Sequence, residues 1–595
     1  MTAQEALKTY WGYDVFRPLQ AEIVESVLAE HDTLALMPTG GGKSLCFQVP
    51  TMVMDGLCLV ITPLIALMKD QVENLKQRNI LAAAIYTGMS YEQQKTALDN
   101  CMWGPYHFLY VSPERLESEE FRERLARLPI CLIAVDEAHC ISQWGYDFRP
   151  SYLKIAEIRD LVARGACSLE DAPKALQDGS KAAYSLEART VPILALTATA
   201  TPDVVDDIQE RLAFREKKVL RKSFARPNIS YVVRETNKKA DEIVHILNRV
   251  PDSAIVYVRN RQRAQELAAY LQEKGISADF YHAGLSSKER SEKQEAWKIG
   301  EKAMRREGER PGTRVIVATN AFGMGIDKPD VRVVIHHDLP DTIEAYFQEA
   351  GRAGRDEQKA FAVLLYDPSD KTKARKRVAD NYPDEETLHN VYHKTCNYLG
   401  VGADSGQGAT FFIDMFDLCK KMHLPVFPTY SALHLLSQMG YFSFDEEQEI
   451  HPRVRLRVSR RELEEYRLNE EENSLLEHLM REYTGIFTEL QYVRKLDDKH
   501  QELVALAQKR IIDYVPRTKA NVLRLSVNRQ AEIRIPQEFY NERKNHYVSK
   551  LKAMVEYAEN KHYCRSQVML GYFGENDAPV CGTCDICRAT LNTKH

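Results

Sequence analysis

Short apolar runs separated by longer amphipathic stretches set the rhythm of residues 1–215. The runs are Thr33–Met37, Leu57–Ile61, Ala82–Tyr86, Phe108–Val111, Cys131–Val135 and Ile193–Leu196. Each has strand length, and helix-period segments lie between them. Such alternation predicts a parallel sheet with helices on both faces, an α/β domain over 1–215. Residues 1–30 read as helical, with breaks at Trp11-Gly12-Tyr13 and Arg17-Pro18. A polar stretch near 163–189 reads as an insertion. The rhythm restarts after about residue 220, with strands expected at Ala254–Val258, Ala278–Tyr281, Val315–Ala318, Val331–His336 and Ala360–Leu365. This predicts a second α/β domain over 216–367, with an Arg- and Glu-rich insertion at 299–313 and a polar linker, Asp367 to Glu386, after it.

Beyond 385 the pattern changes. Helix-like runs at 385–399, 410–422 and 429–439 precede an expected hairpin, Tyr441 to Val458. Three helices and a hairpin suggest a winged-helix-like module over 385–465. A helix-rich stretch, 468–513, leads to an expected strand pair near 520–535, an accessory helical or α+β segment over 466–535. Residues 536–573 read as helical and run into a cysteine cluster, forming a module over 536–595.

The 595 residues are 44% hydrophobic and 28% charged, ordinary for a globular protein. No apolar stretch reaches membrane-spanning length, and there is no signal-peptide pattern. The expected location is intracellular: cytoplasmic, or nucleoid-associated if the source is bacterial. A net charge of -5 argues against indiscriminate binding of polyanions by the whole surface, although a local basic groove suffices for nucleic acid. Basic patches lie at Lys371 to Arg377, Arg453 to Arg460 and Arg517 to Arg529. Taken singly, each reads as a solvated face. Eight of the twelve cysteines have no ligand spacing and read as small buried hydrophobes.

The run Pro38-Thr39-Gly40-Gly41-Gly42-Lys43-Ser44 follows the first strand and opens a helix. Strand, glycine turn and helix N-terminus together form a phosphate cradle. Lys43 would neutralise the β/γ-phosphates of a nucleotide, and the Ser44 hydroxyl would reach magnesium. The common pattern wants glycine where this chain has Met37, so the loop is a variant form. Cys131–Val135 runs into Asp136-Glu137-Ala138-His139, carboxylates at the C-terminal end of a parallel strand. Asp136 would hold magnesium, and Glu137 would activate the attacking water. A strand ending in two hydroxyls, Thr197 and Thr199, is suited to couple this site to a partner domain. In the second α/β domain, Gly351-Arg352-Ala353-Gly354-Arg355 carries two arginines, expected on one helical face and aimed across at the γ-phosphate.

This set resembles the superfamily 2 helicases, and within them the RecQ family. The carriers are Phe16-Arg17-Pro18-Leu19-Gln20, the glycine loop, Thr62-Pro63-Leu64-Ile65-Ala66-Leu67-Met68, and Asp136 to His139 followed by Cys140 to Pro150. The resemblance covers about 5–365 and implies two tandem RecA-like domains with ATP in their cleft, DNA as substrate and 3′→5′ polarity. By it, Tyr13, Arg17 and Gln20 hold adenine beside a loop of Thr39 to Ser44. Trp144, Phe148 and Arg149 sense single-stranded DNA, which suits aromatic faces that stack bases and an added positive charge.

Cys564, Cys581, Cys584 and Cys587 read C-x16-C-x2-C-x2-C, a spacing for a four-thiolate structural zinc site. It is similar to the RecQ zinc module, which in that family follows the helicase core directly and precedes a winged helix. Here a long stretch intervenes and the cysteines close the given sequence. Tyr441-Phe442-Ser443-Phe444 could supply an aromatic strand-splitting pin or simply core. No room is expected for the family's frequent additional C-terminal domain. Three readings stand: an ATP-dependent DNA helicase of repair and recombination binding single-stranded and forked DNA, a translocase or RNA remodeller that separates no DNA duplex, and a zinc-stabilised DNA-binding scaffold with an inert nucleotide site.

Overall fold

The computed structural model describes every residue except 39, 87–88, 143–148, 166–190, 301–311, 324–327, 451, 464–465, 467, 484, 489–490, 494–498, 516–517 and 593–595. The chain forms two compact units, Met1–Ala374 with Val548–His595, and Arg375–Tyr547.

The first unit holds two parallel sheets. One is built from β1 (Thr33–Leu36), β2 (Leu57–Ile61), β3 (Ala82–Ile85), β4 (Phe108–Val111), β5 (Ile130–Val135), β6 (Ile193–Thr197) and β7 (Val219–Arg221), in the order 3-4-2-5-6-1-7. The second contains β8 (Ile229–Glu235), β9 (Ala254–Tyr257), β10 (Ala278–Tyr281), β11 (Val315–Ala318), β12 (Val333–His336) and β13 (Ala360–Tyr366), in the order 10-11-9-12-13-8. These are two RecA-like domains. Their central strands are buried throughout because helices cover both faces. The edge strands β7 and β8 escape the apolar-run pattern. β7 is exposed at both ends and β8 turns polar toward Glu235. The expected linker after Asp367 is instead a helix, Pro368–Asn381, whose charge hides its period.

The chain leaves this unit after Ala374 and returns at Val548. Its last segment packs on the second sheet's helix layer. Phe573 meets Phe224 and Phe347 at ring-centroid distances of 5.0 and 5.1 Å. The buried pair Lys550–Glu344 closes at 2.8 Å.

The second unit begins with helices Glu385–Tyr398, Met415–Met422 and Val426–Gln438 around a three-stranded antiparallel sheet. Its strands are β14 (Thr410–Ile413), β15 (Phe442–Ile450) and β19 (Thr518–Leu525), with β19 central. The run expected as one helix over 410–422 is thus a strand followed by a helix. The expected hairpin over Tyr441–Val458 does not form. Phe442 and Phe444 turn inward beside Leu523 and Leu525 of β19, and Pro452 offers no N–H to continue a ladder. Tyr441, Phe442 and Phe444 are core, and the Tyr441 hydroxyl donates to the Arg534 carbonyl at 2.8 Å. The expected strand pair near 520–535 is the single strand β19.

Between β15 and β19 lies a second small module. It has β16 (Arg453–Leu456), β17 (Gln491–Tyr492) and β18 (Ile512–Val515) in the order 17-16-18, with helices Glu470–Glu482 and His500–Gln508. Val454, Leu456, Leu475, Leu479, Leu503 and Leu506 form its own core. The expected boundary at 465/466 cuts through this module, while β19 belongs to the sheet before it.

Candidate active site and zinc centre

Parallel strands bring their C-terminal ends to one edge, where the loops after β1, β2, β5 and β6 meet. After β1, Gly40 and Gly42 adopt φ of +80° and +78°, a region that disfavours a side chain. A Cβ on Gly42 would also stand 2.4 Å from the Gln20 amide nitrogen. That amide donates to the Gly42 carbonyl at 3.0 Å, and Gln20 is almost fully buried. The Gln20 carbonyl oxygen in turn accepts from the Arg17 backbone N–H at 2.9 Å, and the Arg17 guanidinium donates to the Gly40 carbonyl at 3.1 Å. Arg17 and Gln20 therefore hold the loop by its carbonyls, while the Gly41 N–H donates back to the Pro38 carbonyl at 3.0 Å. Ser44 sits at the N-cap position of the helix Leu45–Val53, and its hydroxyl makes no capping bond. Tyr13 is exposed.

Lys43 Nζ lies 3.8 Å from Glu137 Oε1. Glu137 takes a left-handed backbone conformation, φ 48°, a strained choice of the kind found at functional turns. Its other oxygen is 3.4 Å from His139 Nδ1, which is 2.9 Å from the Thr197 hydroxyl. Thr197 Oγ1 also accepts from the Thr199 backbone N–H at 3.3 Å. Asp136 accepts from the Thr62 hydroxyl at 3.3 Å, and its backbone carbonyl accepts from the Tyr152 hydroxyl at 3.0 Å. Burial, then the neighbouring Glu137 charge, push the Asp136 carboxyl up to about 6, with Lys43 opposing. A half-buried carboxylate beside a second one is one that a divalent cation would relieve, so this donor set fits magnesium. Thr62, His139 and Tyr152 had no role from the sequence. Thr62 and His139 stand inside the quoted motifs, which was their only signal.

From the second RecA-like domain, Arg355 reaches this loop. Its side-chain carbons lie 3.6 and 3.7 Å from where a Gly40 Cβ would be. The two arginines do not share a helical face. The helix Ile343–Ala350 ends before them and they sit in turns, as glycines at 351 and 354 favour. Arg352 is buried and donates to the Gly323 carbonyl of its own domain. The turn is held from β8's approach. Arg226 donates to the Gly351 and Ala353 carbonyls, each at 3.0 Å, and Asn228 to Gly354 at 2.7 Å. Arg226 and Asn228 carried no motif signal. Arg149 ion-pairs with Glu114 at 3.6 Å, while Thr39, Trp144 and Phe148 lie outside the described residues.

The four cysteines meet. Their sulfurs lie within 4.8 Å of one another. A tetrahedron of about 2.3 Å metal–sulfur bonds needs sulfurs roughly 3.8 Å apart, so the set fits zinc with a small contraction. The backbone N–H groups of Cys581, Cys584 and Cys587 donate to the sulfurs of Cys564, Cys581 and Cys584 at 3.3 to 3.4 Å. Against burial, the Thr583 and Cys584 N–H groups draw the Cys581 thiol down to about 7, while burial raises the thiols of Cys584 and Cys587.

Three family models match this chain: "DEAD/DEAH box helicase" over residues 17–208, "Helicase conserved C-terminal domain" over 238–357, and "RecQ zinc-binding" over 526–588. The ATP-dependent DNA helicase RecQ of Synechocystis is 36% identical over 368 residues, which are 61% of this chain and 70% of the relative. The chain belongs to the RecQ family. The probable ATP-dependent DNA helicase RecS of Bacillus subtilis is 39% identical over 372 residues, 62% of this chain and 67% of the relative. The RecQ of Haemophilus influenzae is 40% identical over 370 residues, 62% of this chain. This chain spans about half the length of that relative (54%). Family membership also resolves the late cysteines. In space the zinc-binding segment is part of the unit that holds the two RecA-like domains. The intervening residues are a separate compact unit between them in sequence, and 358–525 lie outside all three matches.

Proposed function

We propose that this chain is an ATP-dependent DNA helicase that moves 3′→5′ along single-stranded DNA and opens forked or duplex DNA in repair and recombination, in the cytoplasm and, in a bacterium, at the nucleoid. The observation that carries this reading is that Arg355 of the second RecA-like domain lies against the glycine loop whose Lys43 stands 3.8 Å from Glu137. Domains 1–215 and 216–367 are the motor halves.

Magnesium-bound ATP supplies the phosphoanhydride whose cleavage drives the motor. The Gly40 and Gly42 N–H groups and the Lys43 ammonium bind its phosphates, and Tyr13, Arg17 and Gln20 border the base. Ser44 and Asp136 hold magnesium. Glu137 orients the attacking water and takes its proton, and the His139–Thr197 contact links that carboxylate to the turn after β6. Arg355 balances charge developing on the γ-phosphate, while Arg352 fixes the turn that carries Gly323. Because the finger belongs to the other domain, hydrolysis depends on the two domains meeting. Trp144, Phe148 and Arg149 touch single-stranded DNA just after the Asp136–His139 segment, so an occupied strand shifts the catalytic carboxylates. Cys564, Cys581, Cys584 and Cys587 hold a structural zinc.

Unwinding of a forked DNA with a 3′ tail, compared between the wild type and Lys43→Ala, tests the reading. Loss with the variant is expected, and equal unwinding by both ends it. ATPase stimulation by single-stranded DNA but not RNA is expected. Stimulation by RNA alone would move the chain to the RNA remodellers, and no hydrolysis at all would leave a DNA-binding scaffold.

A further inference from the structure

The module between β15 and β19 presents arginines in a row. Along β16, Val454 and Leu456 point into the module's core, so Arg453, Arg455 and Arg457 share the outer face. Alternate residues of a strand stand about 6.8 Å apart. The row continues past the strand's formal end, because the Arg457 N–H still pairs with the Ile511 carbonyl at 2.9 Å. Across this face, β18 places Asp513 opposite Arg455 and Val515 opposite Arg453. Asp513 is the one acidic residue in β16, β17 and β18. It serves two arginines, accepting from Arg455 Nε at 3.0 Å and lying 3.4 Å from Arg457 Nε. Among the described side chains of this face the arginines outnumber the carboxylates. Arg453 lies with its guanidinium carbon 5.1 Å from the ring centroid of Phe412, an exposed aromatic on β14.

A chain of net charge -5 that sets three arginines on one strand face beside an exposed aromatic, with Asp513 the one carboxylate against them among the described side chains, has built a local cationic lane. A regular linear row suits an extended polyanion with regularly spaced charges. The aromatic suits an unpaired base, because a base inside a duplex offers no free face to stack. We propose that Arg453, Arg455 and Arg457, with Phe412, form a second binding surface for single-stranded DNA, separate from the residues that follow β5. This deepens the helicase reading and rests on it for the choice of DNA. The surface lies in 358–525, outside the family matches, and would hold a strand while the RecA-like domains step along it. Asp513 competes with the phosphates for Arg455 and Arg457 and so sets how tightly the strand is held.

The test is binding of a labelled oligo-dT to the full chain across a salt series. No nucleotide is added, so the difference in slope between the wild type and the variants reads this surface whether or not the chain hydrolyses ATP. Changing all three arginines to Gln is expected to lower the slope of log K against log salt by about 2, at roughly 0.7 for each phosphate that is no longer neutralised. The corresponding triple Lys variant keeps the charge and should keep the slope, and Asp513→Asn should tighten binding. Zinc content and thermal midpoint report that each variant is folded, which exposed ion pairs should allow. An unchanged slope in the Gln variant overturns the proposal, and so does equal loss in the Gln and Lys variants.

Discussion

Lys43 and Glu137 stand 3.8 Å apart and largely shielded from bulk water, and that pairing makes each sensitive to the other. Glu137→Gln keeps the shape and the hydrogen-bonding capacity but removes the base. Nucleotide binding should survive while turnover falls by about 10²–10⁴, the range of a lost general base. A filter-binding assay beside an ATPase assay separates the two. Arg355→Ala should cost about 10³ or more in turnover, the range of a lost arginine finger, with little change in Tm, since its side chain lies along the loop rather than in a core. Gly354 is the more delicate position. It takes φ +55°, and a Cβ there would stand 2.5 Å from the Asn228 amide nitrogen that holds it. Gly354→Ala should therefore behave as a weakened Arg355→Ala, displacing the finger without removing it, and the two changes combined should be no worse than Arg355→Ala alone.

Strand β8 is the edge of the second sheet, and an open edge is a liability. The zinc segment covers it. Asp585, between two zinc-ligand cysteines, accepts from the Val233 N–H at 3.1 Å and from Arg565 Nε and Nη2, both at 3.1 Å. Arg565 follows the ligand Cys564 directly and is buried. Glu575 likewise accepts from the Phe224 N–H at 2.8 Å. Metal binding and edge protection are thus one structure. Asp585→Asn keeps an acceptor for Val233 but breaks the charge pairing with buried Arg565. Destabilisation of about 3 kcal/mol is expected. Hydrogen exchange at Val233 should accelerate together with zinc release to a chelator. Protection of Val233 that persists after complete zinc removal would show that the edge is held without the metal.

Two polypeptide crossings, near Ala374 and Val548, connect the compact units. The first unit contains both RecA-like domains, the four cysteines and every residue assigned to ATP. Replacing Arg375–Tyr547 by a long Gly/Ser linker should therefore leave a folded protein that binds zinc and hydrolyses ATP, because a flexible chain constrains the ends little. Unwinding should fail in the same protein, since the proposed second DNA surface is gone. Insoluble product, or ATPase lost with zinc retained, would count against the division of labour. Among the described residues, no helix is long and apolar enough to cross a membrane.

Local pattern was enough for much of this. The apolar runs marked the central strands because burial on both faces removes polar positions. Glycine-Lys-Ser, Asp136-Glu137 and the cysteine spacing were legible because phosphate, cation and zinc each demand a fixed residue type at a fixed separation. Edge strands β7 and β8 were not legible, since half-exposed backbone carries no apolar signature. The fates of the two arginines could not be read either. Arg352 and Arg355 are equivalent in sequence, and they part because the Gly351–Gly354 turn points one inward to Gly323 and the other to Gly40. The zinc cysteines follow the same logic at longer range. Their spacing named the metal, but whether they belong with the ATP-binding unit or with the residues before them depends on packing between segments far apart in sequence, and that packing returns them to β8.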